Sequence, residues 1–191
     1  MEQIVQVSGK RNKNIKKTSP CEIQSRIEQK IKKIKETKEG LSGEFIINTL
    51  SSVCDFIGVF AQNELSSLLI TSYPVSFVVN LDNINQSGSH WIGIRISNKQ
   101  LEIYDSFALD PNSWSKKPRR LLKFISRYKK SHKILLTPRL QSSLSNMCGF
   151  YCIYFILFRL HRSFYNCLSV FSQNLMQNDR ILNSVLTNFC E

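Results

Sequence analysis

Residues 139–147, RLQSSLSNM, run directly into residues 148–161, CGFYCIYFILFRLH. The first stretch is polar and turn-prone. The second is apolar on every face, which predicts a helix buried all round rather than a surface helix with one apolar stripe. Cys148 is the first residue of that helix. The uninterrupted apolar run, Met147 to Phe158, is 12 residues long. A bilayer-spanning helix needs roughly 20, so the run predicts a core helix and no membrane partner.

Outward from this helix the chain becomes strand-rich. HKILLTP (132–138) reads as a short buried strand ended by Pro138, and DPNS (110–113) reads as a turn. HWIGIRIS (90–97) and QLEIYDSF (100–107) read as two strands joined by a hairpin turn over residues 97–100. VSFVVNLD (75–82) is β-branched and aromatic and reads as another strand. LSGEFIINTLSSV (41–53) reads as a short helix with Ser42 in the N-cap region. Residues 168–190 read as a helix pair. A helix, a strand-rich middle and a buried helix make an α+β fold. The 191 residues, 42% of them hydrophobic, suit one globular domain with an extension. We divide the chain into a basic N-terminal extension, 1–40, and a domain, 41–191.

The net charge of +12 is unevenly spread. Residues 10–39 carry net +7 and residues 116–133 net +9, so two basic patches sit on a slightly acidic body. In the first patch Ile23, Ile27, Ile31 and Ile34 recur near helical spacing and Gly40 follows as a stop signal. That stripe is narrow, which predicts a marginal helix that docks loosely or forms on binding. In the second patch Leu121, Leu122, Ile125 and Tyr128 predict an amphipathic helix with its basic face outward. Two readings of the patches stand side by side: a solvated face, or a surface for a polyanion such as DNA, bound by counterion release.

Six cysteines show no framework spacing, and MEQIVQVSGKRNKN (1–14) lacks the apolar run of a secretory signal. Reduced thiols are therefore expected. Cys148 and Cys152 have no further Cys/His pair at zinc spacing, so no metal is expected.

Cys148 has the position of a nucleophile. A helix N-terminus carries partial positive charge, which favours a thiolate. Gly149 after it would let the backbone pass close to a bound substrate. A cysteine nucleophile needs a base, and the chain has three histidines. His132 lies within a basic patch. His161 lies thirteen residues along the same predicted helix, about 20 Å away at 1.5 Å per residue. His90, at the edge of a predicted strand, remains. With the turn at residues 97–100, residues 90 and 107 fall opposite each other, and Asp105 falls one pair away, within diagonal reach of the ring. An acid there would orient the imidazole. Gln141 supplies a side-chain amide, and Cys148 its backbone N–H, as oxyanion donors. Against each role taken singly stands an inert alternative: a core cysteine, or a histidine satisfied within a strand.

GSHW (88–91), IYDSF (103–107) and Gln141 with CGFYC (148–152) resemble the adenain family. These are the adenovirus-type maturation proteases, related more distantly to the SUMO-deconjugating proteases. The order His, acid, Gln, Cys is the family's. The interval of seven from Gln141 to Cys148 is similar to adenain, whereas the SUMO proteases usually run one shorter. FIGVF (56–60) resembles a short segment near the start of the adenain domain. The resemblance covers about residues 41–165. It implies a papain-like fold with a central mixed sheet between helices and the catalytic cysteine opening the central helix. His90 would be the general base, Asp105 its orienter, Gln141 the oxyanion donor, Cys148 the nucleophile and Trp91 a packing residue. It further implies cleavage of precursor proteins, often at glycine-containing sites, within the virion and the host nucleus or cytoplasm; a divergent virus or a virus-like transposon would fit the departures from the family pattern. No chemical cofactor is implied, but DNA is implied as an activator, as is a disulfide-linked viral peptide. Residues 128–140 contain no cysteine to tether such a peptide. Two alternatives stay open: a deconjugase for a ubiquitin-like modifier, and an inactive DNA-binding module of protease shape.

Overall fold

The computed structural model describes residues 5–7, 18–37, 39–108 and 118–190. The expected turn at 110–113 and the first part of the basic extension lie outside them. In chain order the elements are β1 (Val5–Val7), α1 (Pro20–Thr37), α2 (Gly43–Leu50), β2 (Phe56–Ala61), a 3-10 turn (Gln62–Ser66), β3 (Leu68–Ile70), β4 (Val75–Asn80), β5 (Trp91–Ile96), β6 (Gln100–Tyr104), α3 (Arg119–Ser126), β7 (Lys133–Leu136), α4 (Cys148–Phe158), α5 (Phe164–Leu168) and α6 (Leu175–Thr187).

Five strands form one sheet in the order β2-β4-β5-β6-β7. β4, β5 and β6 run antiparallel, while β2 and β7 add parallel edges. The expected hairpin is present: Gly93 pairs with Tyr104 and Ile96 with Leu101, and the Ser97 N–H donates to the Gln100 carbonyl at 2.9 Å. Continued past the last pair, that register puts residue 90 opposite 107.

The alternation along the strands sends their side chains to two different cores. Phe77, Val79, Ile92, Ile94, Ile96, Leu101 and Ile103 pack with Leu121, Phe124 and Ile125 of α3. Val78 and Tyr104 face the other way, into a core built on α4. α4 runs over β5 at Gly93, where a Cβ would lie 3.1 Å from the Tyr104 ring and 3.7 Å from Cys152 Cα. Cys148 through Ile156 are all buried, so the helix is central, as its all-round apolarity requires. The result is α+β, a mixed sheet between helical layers.

α1 departs from the expectation of loose docking. Ile23, Ile27, Ile31 and Ile34 are at most 6% exposed and belong to the same core as α4 and α6. A narrow stripe suffices because α6 and α2 are there to cover it. The Ser42 N-cap is present, accepting from the Phe45 N–H at 3.2 Å. No helix among the described residues is long and apolar enough to cross a membrane.

Candidate active site

The β5–β6 hairpin brings His90 and Asp105 together at the end of the sheet nearest the α4 N-terminus. His90 Nε2 lies 2.8 Å from Asp105 Oδ1, and both residues are buried. Asp105 is itself held. Its backbone N–H donates to Thr137 Oγ1 at 2.9 Å, and that hydroxyl donates to the Asp105 carbonyl at 2.7 Å. Its Oδ1 also accepts the Phe107 N–H at 3.0 Å. The Phe107 ring lies over the imidazole with centroids 4.8 Å apart. A chain leaving β6 through Asp105-Ser106-Phe107 thus fixes both the acid and one face of the base.

The Asp105 contact settles the use of Nε2, so Nδ1 is the nitrogen left for Cys148. Nδ1 is buried without a hydrogen-bond partner. Burial pulls the His90 pKa down. The hydrogen bond to Asp105 and the interaction with Cys148 outweigh it and lift the pKa to about 9. The ring therefore favours its protonated form at neutral pH.

Cys148 opens α4 and is 8% exposed. Its placement depends on Gly149. A Cβ on Gly149 would lie 2.9 Å from Leu41 Cβ, so packing against Leu41 by itself requires a glycine here. Leu41 is in turn tied to the strand beside His90, because Trp91 Nε1 donates to the Leu41 carbonyl at 2.8 Å. Trp91 is the expected packing residue, acting through a backbone the sequence did not single out. Cys152, one turn on, is fully buried, and burial first, then Cys148, raise its pKa. It is a neutral core thiol.

Gln141 is completely buried. Its backbone N–H donates to the Ser106 carbonyl at 2.9 Å, and its Oε1 accepts the Ser106 hydroxyl at 2.6 Å. Its Nε2 donates to the Ser145 carbonyl at 2.9 Å and to Ser145 Oγ at 3.1 Å. The preceding carbonyl, Leu140, is pinned by Asn178 Nδ2 at 3.0 Å and by the Tyr151 hydroxyl at 3.3 Å. The structure thus gathers His90 and Asp105 directly, sets Cys148 against His90, and ties Gln141 to the residue after Asp105. His132 and the exposed His161 take no part in this cluster. Ser106, Thr137, Ser145 and Leu41 were missed as supports. Ser106 stood in the quoted IYDSF motif and Ser145 in the RLQSSLSNM loop, whereas Thr137 and Leu41 act across long sequence separations and leave no local signal.

A groove of about 530 Å³ lined by Ile23, Val53, Leu157, Phe158 and Phe189 lies at the opposite end of α4 and contains none of the four residues. Among the described residues no group of three or more His, Cys, Asp and Glu side chains is placed to hold a metal ion.

No protein-family model and no curated protein matches the chain. Among solved structures it is similar to the selenomethionine crystal structure of the ASFV pS273R protease. The TM-score is 0.50 at 19% identity, over 78% of this chain and 67% of that one. At that identity the likeness bears on architecture alone, a central mixed sheet between helical layers.

Proposed function

We propose that the chain is a cysteine endopeptidase of the adenain type that cleaves viral precursor proteins during virion maturation, in the virion and the host nucleus or cytoplasm. The observation that carries this reading is the buried His90–Asp105 contact of 2.8 Å beside a cysteine that opens the central helix. His90 takes the Cys148 proton through Nδ1, while Asp105 holds the ring from Nε2. The thiolate attacks a peptide carbonyl carbon, and the imidazolium protonates the departing amine. The acyl-enzyme is then hydrolysed by water activated on His90. The Cys148 backbone N–H and the Gln141 amide stabilise the oxyanion. None of these steps calls for a metal or organic cofactor.

The test is covalent trapping with a peptidyl-Gly-Gly vinyl sulfone, followed by mapping of the modified residue. Modification at Cys148, lost in Cys148→Ala, is the expected result. Labelling elsewhere overturns the assignment. Parallel assays on a precursor-derived peptide and on a ubiquitin-like modifier fusion separate an endopeptidase from a deconjugase.

DNA is the proposed polyanionic partner, supported by Arg119, Arg120, Lys123, Lys129 and Lys130, all exposed on and after α3. Because α1 shares the α4 core, charge reversal rather than deletion is the clean experiment. Replacing three of these side chains with Glu should weaken DNA binding and flatten its dependence on salt. Unchanged affinity removes this patch from the account.

A further inference from the structure

The Gln141 side chain is held at both ends, and the two ends are chemically unequal. At one end Nε2 meets the Ser145 carbonyl, which can only accept. Only the amide nitrogen is tolerated there; the oxygen would face another oxygen. At the other end Oε1 needs a donor, and within the protein the Ser106 hydroxyl supplies it at 2.6 Å. Ser106 is 1% exposed, so this hydrogen bond is shielded from bulk solvent. Its carbonyl also accepts the Leu140 and Gln141 N–H groups at 2.8 and 2.9 Å. Ser145 Oγ accepts the Met147 N–H at 3.3 Å, linking the amide-holding loop to the residue before Cys148.

We propose that Ser106 is a positioning residue that keeps the Gln141 amide nitrogen turned toward the Ser145–Met147 side, where it can serve the oxyanion formed at Cys148. This rests on the cysteine-protease reading given above. Ser106 touches neither substrate nor the reacting atoms. Its hydroxyl satisfies Oε1, and so leaves the NH₂ group as the one free to exchange Ser145 for a developing negative charge. Removing that hydroxyl leaves a buried acceptor unpaired and lets the amide swing.

The experiment compares Ser106→Ala, Ser106→Thr, Gln141→Ala and the Ser106→Ala/Gln141→Ala double variant of the full chain. Three readouts are used: turnover of a peptidyl-Gly-Gly-aminomethylcoumarin substrate, inhibition by a peptidyl glycinal, and alkylation of Cys148 by iodoacetamide. The glycinal adduct places an oxyanion in the hole, whereas alkylation does not. Ser106→Ala should lower kcat about 10-fold with KM nearly unchanged and weaken glycinal inhibition by a similar factor. Alkylation should stay at the wild-type rate. Ser106→Thr, keeping the hydroxyl, should recover most of the turnover, and the double variant should be no slower than Gln141→Ala alone. Wild-type turnover by Ser106→Ala overturns the proposal. So does additivity in the double variant, or a parallel fall in alkylation, which would mean a general loosening of the site. If wild-type Cys148 is not alkylated in preference to the other thiols, the protease reading itself has failed, and the proposal falls with it.

Discussion

The two ends of α4 treat buried charge in opposite ways. At the C-terminal end, Glu102 of β6 is 1% exposed and accepts a bidentate pair from Arg159, Nε at 2.9 Å and Nη2 at 2.7 Å. The Tyr104 hydroxyl also donates to it. Burial pulls the Arg159 pKa down, but Glu102 more than restores it, so the pKa is raised. The cation also sits where the helix dipole favours one. Both oxygens of that carboxylate are paired. At the N-terminal end the same strand and its neighbour supply Asp105 and His90, but one ring nitrogen has no hydrogen bond. An unpaired atom alone does not mark a site: in the Asp55–Arg95 pair, Asp55 Oδ1 and Arg95 Nε are also unpartnered. What distinguishes His90 is that the open nitrogen belongs to a titratable ring acted on by a cysteine at a helix N-terminus. One end is closed by pairing, and on the function proposed above the other is left open for chemistry.

Mutations at the two ends should separate cleanly. Cys148→Ala is expected to lower peptide turnover by at least about 10³-fold, with the unfolding free energy within about 1 kcal/mol of wild type. Urea unfolding monitored by circular dichroism supplies the second number. Glu102→Ala should do the reverse. It leaves the Arg159 charge without its carboxylate, with only the Arg162 carbonyl as partner, and costs ~3–5 kcal/mol of stability. Turnover per folded molecule should stay within about 2-fold of wild type. A loss of activity beyond the loss of folded protein would mean that the ends are coupled through α4.

A smaller effect appears in the dependence of stability on pH. The folded-state pKa of His90 is raised to about 9 from the ordinary 6.5. Its protonation therefore contributes stability that is fully present below pH 6.5 and is lost as pH rises through about 9. The contribution is on the order of 3 kcal/mol. Unfolding measured from pH 6 to 10 should show this decline, and His90→Gln should flatten it. A curve of unchanged shape in that variant assigns the decline to other groups.

The N-terminal end of α4 was the more legible from sequence. A four-residue turn at 97–100 and alternating apolar residues on both sides fix the hairpin register, and the register alone brings residue 105 within diagonal reach of residue 90. The all-round apolarity of residues 148–158 placed the helix in the core. β2 was not legible as a strand: FIGVFA is half-buried at every position, with no alternation to read. It pairs in parallel with β4 across a bulge between Phe56 and Gly58, and Gly58 takes a φ of +140°. Parallel edges carry no turn signal. The packing role of Gly149 left no local signal because its partner, Leu41, lies more than 100 residues earlier in the chain. The docking of α1 was underestimated for a similar reason: a stripe shows what can be buried, not what is there to cover it.

The central claim is that Cys148, together with Asp105, acts on the His90 ring and holds its pKa up. It is tested most directly by an NMR titration of the His90 ring in the wild-type chain and in Cys148→Ala. The account predicts a ring pKa near 9 in the wild type, with Nε2 protonated toward Asp105, and a clear fall when the thiol is removed. The same pKa in both chains, or a value near 6.5 in the wild type, would contradict it.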